Sequence, residues 1–487
     1  MRTMLARVVG GVALVTALLA WWLWPPRGPQ PLASEFTIHS VTMIEPGEGH
    51  RAPADLTISG GSIAQIEPVG AGRLPAVAAL EGSFVLPGMI DMHTHLPPHT
   101  PLRLTELFGI LYALHGVTSV RDAGDIDGTA VPAAQQVFER DGFVGPRVFS
   151  CGPFVAGGSP RFSNTVIVSE PAEAPDIARK LKREGRVCMK LYDGLDPPRI
   201  RALAAAARAE GLTPIGHIPF GLIMENAGVP EVQHLMGTAR PETIAAGDQI
   251  VERVMDWSAV DEARIRAVVA ASRDLGISHT PTLVTGEQLL LFLDYDRGRT
   301  APEAQWMPRM FRDVVWNPHD GLAPYRKFSG GDIPRVRAAL EKKLAAVAAL
   351  DRAGVPLFVG TDTQQPFVVP GISVHQEMVL FSHAGVPLDK TWQYATVRAG
   401  ATLPVPSLGR LEPGAPADLA IFREDPTADV EALKSLEAVV LRGRLYMRGD
   451  LEAALARYLH WYANPLIDRL SVATARSRMA SAVRSDH

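Results

Sequence analysis

The sequence predicts an α/β protein: a (β/α)8 barrel with a small β-sandwich domain built from both ends of the chain, preceded by an N-terminal transmembrane or signal segment. Three observations predict it. Through the middle of the chain short apolar runs alternate with helical stretches, which is the pattern of βα units and a parallel sheet. Eight such runs can be counted, and eight strands close a barrel. Strand-like alternation flanks this middle on both sides, so the two flanks are expected to meet in one sheet domain. A length of 487 residues suits a large barrel with attachments.

Taken in order, residues 1–24 come first, where Arg2 and Arg7 precede an uncharged run of 17 residues from Val8 to Trp24. That is the short end of a spanning helix and longer than most signal-peptide cores. Both a retained anchor and a cleaved signal remain open. Trp21, Trp22 and Trp24 resemble an interfacial aromatic belt, and no small-x-small cleavage site follows. The basic N-terminus is expected on the cytoplasmic side of a bacterial-type inner membrane, with the catalytic body outside it: periplasmic if anchored, secreted if cleaved. Residues 25–34 form a Pro- and Gly-containing linker.

Residues 35–87 then pair with 404–450 as the small β domain: Phe36–Val41 and Asp55–Ile58 alternate like strands, and Ala417–Phe422 and Ala438–Gly443 return to them. Residues 88–403 form the barrel, with strands expected to end at His95, Asp122, Cys151, Tyr192, Ile218, Leu235, Val284 and Asp362. Helices are expected at Pro198–Glu210, Val260–Asp274 and Val336–Asp351. The remainder of Gly286–Gly354 exceeds an ordinary connection and reads as a lid or cap. Residues 451–487 read as a C-terminal helical tail with no assigned function.

The charges, 48 basic against 52 acidic, give no footprint for nucleic acid and suit a small, largely neutral substrate. Two cysteines, Cys151 and Cys188, are too few for a disulfide framework, and spacing alone does not certify that they pair. Oligomeric state is not legible.

The chemistry concentrates at predicted strand ends. His93 and His95 sit two apart on the first strand, so their side chains share a face and can converge on one metal ion. Lys190 closes strand four, His217 and His234 close strands five and six, and Asp362 closes strand eight. Each has an ordinary reading: a solvated His pair, a lysine snorkelling to the rim, satisfied core histidines, a helix-capping carboxylate. Their joint placement at one barrel mouth, where barrel enzymes keep their catalytic groups, argues for a metal site. Tyr192, His99 and Arg161 fall near strand ends but read as loop or packing residues, and His375 is a candidate for pocket lining.

This set resembles the amidohydrolase superfamily, whose pattern is His-x-His on strand one, a carboxylated lysine on strand four, histidines on strands five and six and an aspartate on strand eight. Val85–Asp91, His115–Asp122, Leu408–Gly414 and Ala417–Leu419 are similar to further segments of that family, over residues 35 to 450. Met189–Tyr192 and the sequence after Asp362 resemble imidazolonepropionase-like and prolidase-type dipeptidase members. The resemblance implies two divalent ions, Zn²⁺, with His93, His95 and Asp362 on one, His217 and His234 on the other, and N-carboxylated Lys190 bridging them. It further implies a hydrolase of amide or peptide C–N bonds in a small or dipeptide-like substrate, with Asp362 as acid and base. Deaminases of the superfamily commonly carry a Glu three residues after the strand-five His, where this chain has Phe220. Deamination or cyclic-amide hydrolysis is therefore the second expectation. A catalytically inactive, membrane-tethered binding protein is a third, and all six ligand candidates argue against it.

Overall fold

The computed structural model describes residues 23–219, 222–238 and 249–484. The predicted anchor lies outside the described residues except for Leu23 and Trp24, and Phe220 does too. Among the described residues no helix is long and apolar enough to cross a membrane.

The chain opens with β1 (Phe36–Glu45), β2 (Gly49–His50), β3 (Ala54–Ser59), β4 (Ser62–Pro68) and β5 (Phe84–Pro87). Strand β1 pairs with β2, β3 and β5. Its first half runs antiparallel to β3, with Phe36 opposite Ile58, and its second half runs parallel to β5, with Thr42 opposite Phe84. Between the halves Ser40 adopts φ 57° and its N–H donates to Asp55 Oδ1 at 3.1 Å. An irregularity of this kind bends a strand, and here it falls between the halves of β1 that pair with β3 and with β5.

The barrel section follows: β6 (Met89–Thr94), β7 (Val117–Asp122), β8 (Arg147–Ser150) continued by β9 (Phe154–Ala156) at the third position, β10 (Thr165–Ile167) paired with β9, then β11 (Cys188–Leu191), β12 (Thr213–Gly216), β13 (Glu231–Gln233) and β14 (Ser278–Thr280). Their pairings are parallel, from β6 through β7 to β8 and from β9 through β11, β12 and β13 to β14. The join between β8 and β11 includes Val187 N–H donating to the Ser150 carbonyl, 3.0 Å. The eighth position is an extended segment rather than a regular strand. Phe358 N–H donates to the His279 carbonyl on one side, 2.9 Å, while on the other Met92 N–H donates to Val359, 2.9 Å, and Thr361 N–H to His93, 3.0 Å.

The chain then returns through β15 (Leu419–Phe422), β16 (Leu436–Leu441) and β17 (Arg444–Met447), giving a sheet in the order β17-β16-β15-β5-β1-β3-β4, with β2 beside β1. Side chains from both chain ends, among them Phe36, Ile38, Leu56, Leu419, Ile421 and Val440, share its apolar core.

Two expectations need correction. The seventh strand does not reach Val284: β14 stops at Thr280 and Val284 begins a helix, Val284–Leu293. A buried apolar stretch of this length reads alike in either state. The section after Gly286 is no loose lid, because Met307, Phe311, Trp316 and Tyr325 are buried in the main core. Its second part is the helix Ile333–Arg352. The C-terminal tail is two helices, Arg448–Tyr462 and Pro465–Arg484, the first burying Leu451, Leu455 and Tyr458. Helices Pro197–Ala209 and Glu262–Leu275 lie close to their predicted positions. Each is capped by an aspartate, Asp196 accepting from Arg199 N–H and Asp261 from Arg264 N–H. Cys151 and Cys188 form a disulfide with Cα atoms 4.4 Å apart, in a buried pocket with Ala123 and Ile215.

Candidate active site

The six predicted residues are all buried. His93 and His95 come from the end of β6 and the residue after it, Lys190 from β11, His217 and His234 from just beyond β12 and β13, and Asp362 from the eighth segment. Ligand atoms of His93, His95 and Asp362 all lie within 4.8 Å of one another. Asp362 Oδ1 is 3.4 Å from His93 Nε2 and 3.2 Å from His95 Nε2, and its Oδ2 is 3.9 Å from His234 Nε2. The His93 and His234 rings are 4.6 Å apart and the His234 and His217 rings 5.1 Å. Lys190 is the second largest influence on His93, after burial, and both hold that imidazole well below its ordinary pKa. Thus five of the six form a chain of direct neighbours, with the sixth within electrostatic reach.

Each of three imidazoles is held by its outer nitrogen. His93 Nδ1 is 2.5 Å from Gln233 Oε1, His95 Nδ1 is 2.8 Å from the Gly124 carbonyl, and His234 Nδ1 is 2.7 Å from Thr282 Oγ1. Donation from Nδ1 to the Gln233 and Gly124 oxygens leaves a lone pair on Nε2, on the side of the ring nearer Asp362. Gln233 is fixed in turn, its Nε2 donating to Glu231 Oε1 at 2.9 Å, and Glu231 is bound through both oxygens by the buried Arg121. The backbone is locally strained: His234, Leu235, Thr282, Asp362 and Gln364 all have positive φ. Such residues cluster where surrounding structure fixes a functional geometry.

Beneath the cluster, Asp91 accepts from Thr361 Oγ1 at 2.6 Å, and Asp122 accepts from the N–H groups of Leu96 and Gly124. Burial pushes Asp91 up to about 7 and Asp122 up to about 6, against the hydrogen bonds that favour their charged forms.

The donor set fits a divalent ion. His93 Nε2 is buried with no hydrogen-bond partner, a costly state for an imidazole nitrogen unless something else meets it. Imidazole and carboxylate groups with second-shell anchors make up the usual ligand set of such an ion.

Several contributors were not legible in the sequence. Gln233 and Thr282 have no motif, and only the pairing of β13 with β14 and the closure of the barrel bring them to the histidines. Tyr192, set aside as a packing residue, stacks on His217 at 4.5 Å and contacts Phe154 at 4.8 Å. Arg161 reaches Asp193 at 3.8 Å, and Asp193 reaches His217 Nδ1 at 3.7 Å. His99 is exposed and its N–H donates to Thr129 Oγ1. His375 does not join the cluster: it donates to the His115 carbonyl at 2.8 Å and packs on the His115 ring.

A closed barrel with imidazoles and a carboxylate gathered at its C-terminal mouth defines a metal-type hydrolase. The chain belongs to the amidohydrolase family, whose model matches residues 84–446. A pterin deaminase from Rhizobium rhizogenes is 34% identical over 118 residues, 23% of this chain. The match spans only about a quarter, 26%, of that relative. Among solved structures, a bottromycin amidohydrolase aligns with TM-score 0.68 and 23% identity, over 92% of this chain and 93% of its own. A putative prolidase from Bifidobacterium longum gives 0.62 and 18%, over 89% and 100%. A Xaa-Pro dipeptidase with bound methionine gives 0.58 and 18%, over 85% and 100%. At these identities the likeness is one of fold.

Proposed function

We propose that this enzyme cleaves an amide or peptide bond in a small, dipeptide-like substrate, using two divalent metal ions. The convergence of His93, His95 and Asp362 with their outer atoms already anchored is the observation that carries the reading. His93, His95 and Asp362 would hold one ion and His217 and His234 the other, with Lys190, carboxylated on Nζ, shared between them. Carboxylation replaces a buried cation by an anion and removes the cost of an ammonium among imidazoles. When bound, such ions, zinc in the family pattern, would make water nucleophilic at neutral pH and polarise a carbonyl. Asp362 takes the proton from the attacking water and passes it to the departing amine. Gln233 and Gly124 hold the ring tautomers through that cycle, and Tyr192 walls the His217 side.

Residues 8–24 serve as an anchor or signal that puts the body outside the cytoplasm. The uncharged run and the Cys151–Cys188 bond support this, since structural disulfides belong to oxidising compartments. The partial likeness to a pterin deaminase favours deamination as the second reading.

Elemental analysis of the purified chain, paired with product analysis on dipeptides, N-acyl amino acids and pterins, tests the proposal. About two ions per chain with released amino acid is the expected result. Ammonia from a pterin with no amide cleavage moves the enzyme to the deaminases, and a folded, active protein free of metal overturns the mechanism.

A further inference from the structure

The start of the described chain is tied to its end. Trp461 Nε1 donates to the Leu23 carbonyl at 3.0 Å, so the end of the uncharged run lies against the junction of helices Arg448–Tyr462 and Pro465–Arg484. Around that junction the surface changes character. Trp24 is 72% exposed, Leu466 47% and Leu470 55%, three of the seven exposed large apolar side chains among the described residues. On helix Pro465–Arg484 the exposed residues Leu466, Arg469, Leu470, Ala473 and Arg476 recur at steps that keep them on one face. That face therefore alternates apolar tips with guanidinium groups.

The acidic side chain in the same stretch is turned aside. Asp468 accepts from Arg309 Nε at 2.9 Å. Arg309 in turn borders a recess lined by Arg299, Thr300, Gln305, Arg312 and Asp313. Three arginines there face two carboxylates, which leaves the recess net cationic. Arg312 Nε is buried with no hydrogen-bond partner, a donor still to be met. Leucine tips interleaved with arginine beside an emerging hydrophobic segment match the composition of surfaces that lie in a bilayer interface. Just before the junction, Tyr462 Oη donates to the carbonyl of Leu102, which ties these helices to the loop after β6 at the barrel mouth.

We propose that the face formed by Trp24, Leu466 and Leu470 with Arg469 and Arg476 rests on an anionic lipid bilayer. The leucines enter the acyl boundary and the guanidiniums meet headgroup phosphates, with which arginine forms forked hydrogen bonds. This rests on reading residues 8–24 as a retained anchor, and it adds a second, electrostatic attachment that orients the body.

The test uses the full chain in vesicles of phosphatidylcholine, with or without phosphatidylglycerol. Since both native cysteines are in the disulfide, Leu470→Cys gives a single thiol for an environment-sensitive fluorophore, and Val69→Cys, 55% exposed, gives the matched control. The expected result is a blue shift at position 470, quenched by lipid-borne nitroxide and larger in anionic vesicles, with position 69 remaining in water. Arg469→Glu with Arg476→Glu should abolish the extra shift due to phosphatidylglycerol. Protein that stays with vesicles while position 470 is as wet as position 69 overturns the lipid face and leaves the anchor standing. Protein that leaves the vesicles altogether overturns both. A shift that grows with protein concentration and ignores lipid quencher assigns the face to a second copy and also overturns the proposal.

Discussion

The small sheet domain and the barrel mouth are equally buried, yet different physics holds each. In the sheet domain Phe36, Ile58, Leu419 and Ile421 lose all contact with water and are held by apolar packing alone. Their exact atoms matter less than their volume. At the mouth His93, His234, Asp362 and Gln233 are just as buried, but each is held by a named hydrogen bond or by strained backbone. There volume matters less than which atom faces which. Burial by itself thus says nothing about what a position tolerates; the kind of partner does.

The sharpest break in this contrast is Asp362→Asn. Asparagine fills the same space and accepts positive φ almost as readily, so the fold should survive with an unchanged melting curve. It cannot take up a proton as the carboxylate does, and kcat/KM should fall by about a thousand-fold while metal content falls less. Full activity in this variant would remove Asp362 from the reaction. Lys190→Ala should lose metal and activity together in elemental analysis, and retained metal would refute the role of the carboxylated lysine. In the sheet domain the pattern reverses: Ile421→Ala should cost about 2–5 kcal/mol in denaturant unfolding, with kcat of the folded fraction unchanged.

A smaller effect sharpens the comparison within the mouth. Gln233→Leu conserves bulk but removes the acceptor for His93 Nδ1, and metal affinity measured by chelator competition should drop about 10- to 100-fold. Unchanged affinity would make Gln233 a packing residue. Smallest is Asp55, the one carboxylate at the bend of β1. Burial raises it, but hydrogen bonds from Gly72, His39, Ser40 and Gly70 outweigh this and bring it down to about 2. A depressed carboxylate stabilises the fold above its ordinary value of 3.8 and loses that contribution as pH falls through about 2. Asp55→Asn should therefore be less stable than the parent at neutral pH, and the gap should close between pH 4 and pH 2 in urea titrations.

The sequence carried the barrel and the six cluster residues because both leave local traces. Alternation marks β6, β7 and β11, and His or Asp at the end of such a run stands out. What it could not carry depends on pairing. Gln233 looks like any residue before a histidine until β13 is set beside β14 and the barrel closes. Val284 misled because Leu283 and Val284 are as apolar as a strand while starting a helix. The disulfide needs β8 and β11 to be neighbours, and the long section after Gly286 gave no hint that Trp316 and Tyr325 would be core.

The eighth barrel segment has a consequence for how the chain assembles. Thr94 meets Thr363 at the seam of the barrel, and β5 meets β15 in the sheet domain, so both closures join stretches synthesised far apart. Such joins carry a large loop-closure cost and form late. A nascent chain that has made His93, His95 and Lys190 still has an open barrel and no Asp362, and its eight-stranded sheet waits for β15 to β17. Completion of the catalytic cluster is therefore coupled to closure of the whole fold. A polypeptide released early would expose unpaired strand edges rather than a partly active enzyme.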